Sequence, residues 1–271
     1  MSGNQPRRVY GVDFSGAAMA GRKIWIAKGV AGEHSLRLEA CFQAQDLPGA
    51  GPRRAAALAA LRQLIADEAG ACFGLDFPFG LPRPLATEPD WEAFIGQFAR
   101  RFGDVQQFRA DCLRAAQGRE LKRVTDVESR TPFCCYNLRL YRQTYYGIRD
   151  VLAPLVQDGL VCVLPMQPMV PGRAWLLEIC PASTLKRYGL YQPYKGRGMA
   201  QGAARQRLVA CLEQQGVRLE AAQRSVILDD HDGDALDSLI AAWTVWRALQ
   251  HPEGIAVNTH PAYGYEGYVY V

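Results

Sequence analysis

The sequence predicts an α/β fold built on a mixed sheet. Two observations carry it. Three strand-like runs follow one another at the N-terminus, and a helix-patterned segment then separates the third run from a short, wholly apolar one. The first strand spans Val9 to Phe14 in "RRVYGVDFSGAAMAG" and ends in a glycine-bearing turn. "RKIWIAKGV" and "SLRLEACFQA" alternate enough to be strands, and the turn-like "AGEHS" between them makes a hairpin. "RRAAALAALRQLIADEAG" places Leu58, Leu61, Leu64 and Ile65 at helical spacing and stops at Gly70. "ACFGLDFPFGLP" follows as an apolar strand ending at Asp76, where Pro78 and Pro82 prevent continuation. Parallel strands need a crossover, and the helix at 54–69 supplies one between the third strand and the strand at 71–76.

Residues 84–157 have another texture: helical, polar, and rich in arginine and aromatics. "WEAFIGQFARRF" and "NLRLYRQTYYGIRDVLAPLV" are both amphipathic. This stretch reads as a helical insertion or cap within a single domain spanning 1–271. "GLVCVLP" and "AWLLEICP" are two more apolar strands. "QGAARQRLVACLEQQG" is a helix closed by Gly216, "HDGDALDSLIAAWTVW" opens a second long helix, and "GYEGYVYV" is a terminal strand. Ser183 and Thr184, after Pro181, read as helix caps.

Bulk properties exclude several classes. No apolar run approaches the roughly 20 residues that span a bilayer, and the N-terminus lacks an apolar leader core, so the expectation is a cytoplasmic protein without a membrane partner. The net charge of +4 permits a nucleic-acid partner without indicating one. Arginines crowd the middle of the chain, from Arg100 to Arg142. Solvated helix faces explain them slightly better than an electropositive wall. The eight cysteines form no CxxC pair and several sit in apolar runs, which points to reduced core thiols. Four histidines without HxxxH spacing argue against a histidine metal site.

The acids are the informative residues. Asp13 ends the first strand, Asp76 ends the strand after the crossover, Glu178 lies near the end of "AWLLEICP", and Asp234 and Asp237 open the final long helix. A lone buried carboxylate costs several kcal/mol unless it is paired or metal-bound. Carboxylates offered by four separate elements therefore ask for a cation. Hard divalent ions take oxygen ligands, Mg2+ above all a few carboxylates plus water and phosphate. Asp234 and Asp237 are i and i+3, hence on one helix face at its positive end. Asp232 reads as an N-cap, Asp229 and Asp230 as loop, and His231 as solvated.

These segments, "GVDFSG", "FGLDFPFGLP", "LLEICPASTLKRYGL", "YKGRG", "DGDALDSLIAAW" and "EGYVYV", taken in order, resemble the family called domain of unknown function 429. That family is regarded as a predicted nuclease group. The matching segments span Val9 to Val271 and leave the 84–157 insertion weakly matched. The resemblance implies a ribonuclease H-like mixed sheet, an antiparallel three-strand meander plus parallel strands, flanked by helices. It also implies a divalent-metal-dependent phosphodiesterase acting on nucleic acid, with Mg2+ or Mn2+ as cofactor. Asp13 becomes the central ligand, and Asp76, Asp237 and Asp234 match further acids. Glu178 falls on the family's E–x–x–P strand end. Lys186, Lys195, Arg197 and Arg205 are then candidates for substrate phosphate, with Tyr191 and Tyr194 as stacking surfaces. Two other functions compete. An ATP-using enzyme of the actin and sugar-kinase type fits "GVDFSGA" but lacks a second glycine-rich phosphate loop. A non-catalytic scaffold would bind a nucleic-acid or protein partner through the insertion.

Overall fold

The computed structural model describes residues 7–251, 255, 257 and 259–271, so the first six residues of the N-terminal run lie outside the described residues. The architecture is α/β, a mixed sheet flanked by helices on both faces. β1 (Arg7–Asp13), β2 (Trp25–Ala31) and β3 (Leu36–Gln43) form the expected antiparallel meander. Helix α1 (Arg54–Asp67) crosses over to β4 (Cys72–Leu75), which lies parallel to β1. β5 (Val161–Leu164) and β6 (Ala174–Ile179) extend the sheet in parallel beyond β4. The order is β5-β6-β4-β1-β2-β3-β7, where β7 is Val217–Arg218, a two-residue strand against β3. β7 carries too few residues to show a period of two, so the sequence did not reveal it. The terminal run is shorter than expected. Tyr263–Glu266 is a helical turn, and only β8 (Val269–Tyr270) pairs, parallel to β6 at Glu178 and Ile179.

Alternation along the strands sorts the core into two layers. Tyr10 and Val12 of β1, with Phe73 and Leu75 of β4, point toward α1 and the insertion. Val9 and Cys72 point the other way, toward the final long helix. The insertion comprises α2 (Trp91–Arg101), α3 (Val105–Ala115), α4 (Val124–Glu128), α5 (Tyr141–Gly147) and α6 (Ala153–Gln157). It packs into the same core as the sheet, through aromatic contacts among Phe98, Phe102, Phe108 and Tyr145. α5 and α6 are joined by a π turn at Ile148–Leu152. Pro154 lacks the N–H that an α-helix needs at that point, and the wider turn absorbs the loss.

The opposite layer is α7 (Pro181–Arg187), α8 (Met199–Gln214), α9 (Ala221–Asp229) and α10 (Asp234–Gln250). Every residue of α10 from Ala235 to Trp246 is buried, Asp237 included. Two glycines explain how α10 comes so close to the sheet. Gly11 and Gly74 are register partners on β1 and β4. A Cβ on Gly11 would stand 2.1 Å from Ser238 O and 2.2 Å from Ala242 N, and one on Gly74 would stand 2.6 Å from Val245 Cγ2. The helix thus lies directly on the two strands whose C-terminal ends carry Asp13 and Asp76. The eight cysteines are free thiols. Among the described residues, no helix is long and apolar enough to cross a membrane.

Candidate active site

The C-terminal ends of parallel strands and the start of a helix meet at one pocket of about 590 Å³. Asp13 closes β1. Asp76 follows β4, fixed by its N–H donating to Val12 O at 3.0 Å. Asp234 and Asp237 project from the first turn of α10. All four carboxylates line the pocket. Asp13 is 8 % exposed and Asp237 5 %. Burial first, then the neighbouring Asp237 and Asp234, hold the Asp13 carboxyl well above the usual carboxylate range. Burial, reinforced by Asp237, pushes Asp76 up to about 8. Burial also raises Asp234, against the pull of Lys195. Acids buried beside one another perturb each other in this way, and such perturbation concentrates at functional sites.

Lys195 is the counter-charge. Its Nζ lies 2.7 Å from Asp237 Oδ2 and 3.1 Å from Asp234 Oδ1. Burial works against the ammonium, but Asp237, Asp13 and Asp234 outweigh it and hold the Lys195 pKa above its ordinary value. The Tyr194 hydroxyl donates to Asp237 Oδ1. Burial, then the Asp237 charge, raises that phenol.

The loop carrying both residues is stapled to the start of α10. Arg205, buried on α8, donates through Nη1 to Tyr194 O and Gly196 O, each at 2.8 Å, and through Nε to Leu228 O at 3.1 Å. Gly196 N donates to His231 O at 2.7 Å. Gly233 adopts φ +78° at the helix N-cap, and a Cβ there would come within 3.0 Å of the Lys195 side chain. Only a residue without a Cβ takes that conformation at that distance without strain.

Several expected residues stand elsewhere than the acid cluster. Glu178 lines the same pocket, but its carboxylate is committed. Oε2 accepts from Arg123 Nη1 and from Phe79 N, both at 2.8 Å, and Oε1 accepts from Arg123 Nη2. Arg123 also binds Asp126 at 2.8 Å, which makes a fully buried triad. Glu178 therefore anchors the insertion to β6 instead of facing the pocket as a free ligand. Lys186 donates to Arg130 O at 2.8 Å and stands 5.3 Å from the Tyr191 ring, and Arg197 is exposed. Arg205 serves the loop: it is buried, does not line the pocket, and spends four of its five N–H donors on Tyr194 O, Gly196 O, Leu228 O and His231 Nδ1, the last at 3.0 Å.

The helix start also differs from the expectation. Asp232 is not the cap. It is exposed and pairs with Lys23 at 2.5 Å, while Asp230 Oδ2 accepts from Ala235 N at 2.8 Å. Ser183 and Thr184 lie inside α7, whose N-cap is Cys180; Thr184 Oγ1 bonds Thr244 Oγ1 at 3.1 Å.

Sequence reasoning missed Lys23, Arg123 and Gln143. Lys23 and Arg123 look like ordinary surface cations in sequence. Gln143 Nε2 donates to Phe14 O at 2.6 Å and to Asp76 O at 3.4 Å, tying α5 to both acid-bearing strand ends. Nothing in a lone glutamine on an amphipathic helix signals that role.

The donor set offers the oxygen ligands that a hard divalent cation takes: four aspartates against the Lys195 ammonium, while Lys23, which also lines the pocket, is paired with Asp232. Among the described residues, no three His, Cys, Asp or Glu side chains stand ready-made as a ligand group, and Lys195 bridges two of the acids. Comparison of the chain with family models, with characterised proteins and with solved structures finds no match.

Proposed function

We propose that this chain is a divalent-metal-dependent phosphodiesterase acting on nucleic acid, built on a ribonuclease H-like core and related to the domain of unknown function 429 family. One observation carries the reading: Asp13, Asp76, Asp234 and Asp237, from three separate elements, line one pocket. Their burial as charged groups is costly, and either protonation, which the raised Asp13 and Asp76 carboxyls favour, or a bound cation relieves it. Asp13, Asp76 and Asp237, with Asp234, would hold Mg2+ or Mn2+, and the bound ion would supply the Lewis-acid charge for attack at phosphorus. Lys195 reaches the same pocket from a loop. Once a cation relieves it of the acids, its ammonium is free to face a phosphate oxygen. Tyr194 holds Asp237 in orientation, and Gln143 and the Gly11–Gly74 contact keep the acid-bearing elements in place.

The ATP-using alternative fits less well. A phosphate loop must leave its backbone open to the phosphates. The turn after β1 is covered: a Cβ on Gly16 would stand 2.4 Å from Arg142 O, and Gly16 O already accepts from Arg54.

The test is cleavage of single-stranded, duplex and branched nucleic acid with Mn2+, comparing wild type with Asp13→Asn. The reading requires metal-dependent cleavage of at least one substrate, lost in the variant. Equal activity in both, or none in either, contradicts it.

A further inference from the structure

The insertion forms one wall of the site. Two aromatic rings, each accompanied by a cation, line the pocket from separate segments of the chain. Phe133, from the insertion, is half-buried with the Arg139 guanidinium 5.4 Å from its ring centroid. Tyr191, from the loop before Lys195, is 57 % exposed with Lys186 Nζ 5.3 Å from its ring centroid. Arg139 is exposed as well. Leu140 and Gln143 continue the insertion's wall inward.

This wall is fixed to the acids. Gln143 binds both strand ends, Gly16 packs on the backbone of Arg142 and Gln143, and a Cβ on Gly147 would meet the Phe77 ring at 2.5 Å. The carboxylates therefore sit within a walled pocket of about 590 Å³, a volume suited to a small-molecule-sized group.

We propose that the pocket takes an unpaired nucleotide unit, with its base against Phe133 or Tyr191 and the flanking phosphates beside Arg139 and Lys186. Aromatic platforms paired with cations are how proteins hold single strands without reading sequence. A base in a duplex has both faces stacked on its neighbours and offers neither ring a surface, so duplex reaches the acids only after unpairing. This inference rests on the phosphodiesterase reading and adds the substrate class to it. A single-strand terminus and a free mononucleotide share this chemistry.

The test is fluorescence anisotropy of a short end-labelled single strand on the full chain, competed by the same unlabelled strand, by the blunt duplex of that sequence and by a free mononucleotide. The expected result is single-strand binding at least about tenfold tighter than duplex binding. Phe133→Ala and Tyr191→Ala should each weaken the single strand by about tenfold. Tyr191 is exposed on a loop, so its replacement leaves the core intact. Leu138→Ala, an exposed apolar residue that does not line the pocket, should leave binding unchanged. A competing mononucleotide assigns the pocket to nucleotides as well as strand ends; a strand that binds while the mononucleotide does not assigns it to strands. Duplex binding equal to or tighter than single-strand binding, or no effect of either aromatic variant, overturns the inference while leaving the phosphodiesterase reading in place. No binding in any arm overturns both.

Discussion

The Lys195 ammonium lies 2.7 Å from Asp237 Oδ2, joining a surface loop to the buried head of α10. The contact makes the acid cluster tolerable in the metal-free chain. Lys195 is half-exposed, so solvent screens part of its effect. Replacing it by Met should lower stability at pH 8 by about 1 kcal/mol, as measured by urea denaturation. Mn2+ should restore most of the loss. A variant as stable as wild type without metal contradicts the role given to this lysine.

The cluster also sets a pH dependence. Burial and Asp237 raise the folded-state pKa of Asp76 from an ordinary 3.8 to about 8. A carboxyl raised on folding contributes stability that is fully present below its unfolded value and lost as pH rises through the folded value. The metal-free protein should therefore weaken between about pH 4 and pH 8. Asp76→Asn removes the charge and should raise stability at pH 8 by on the order of 1 kcal/mol or more, with little change near pH 4. Paired denaturation curves at the two pH values check this. Destabilisation of Asp76→Asn at pH 8 would mean that the carboxylate is already well compensated.

The Arg123–Asp126–Glu178 triad predicts a different result. Removing one partner of a buried ion pair leaves an uncompensated charge and costs about 3–5 kcal/mol. Arg123→Met should lose stability on that scale, and Glu178→Gln in the same background should recover part of it. If Arg123→Met loses less than about 1 kcal/mol, the triad does not anchor the insertion in solution.

Gly11 tests the placement of α10. An added Cβ would overlap the helix backbone at Ser238 and Ala242, and neither atom can move without shifting the helix. Gly11→Ala should cost about 3 kcal/mol or more and should weaken metal binding, because Asp237 moves with α10. Gly74→Ala meets the end of a Val245 side chain first and should be the milder change. The midpoints of thermal unfolding rank the two.

The legible parts of this molecule were those written in periodicity. The meander, the crossover helix, β4 to β6 and the helical texture of 84–157 all follow from alternation, helical spacing and proline or glycine stops. The four converging aspartates were legible for a related reason: charge at the end of an apolar run is conspicuous. Glu178 obeys the same pattern, yet its partner Arg123 comes from the insertion, 55 positions away, and no local signal announces that contact. The capping role of Asp230 and the internal role of Arg205 were equally hidden: Asp230 reads as loop and Arg205 as a candidate for substrate phosphate until their partners fold around them. β7 and α9 escaped because both are short: β7 has two residues, and α9 has nine, of which Ile227 alone is buried, too few apolar positions for a period to stand out.

The central claim is that the four aspartates accept a divalent cation. Calorimetric titration of Mn2+ into wild type, Asp13→Asn and Asp237→Asn tests it most directly. The account predicts saturable binding to wild type, weakened at least about tenfold by either substitution, with a matching rise in the thermal midpoint of wild type alone. No binding to wild type, or equal binding to all three proteins, would contradict it.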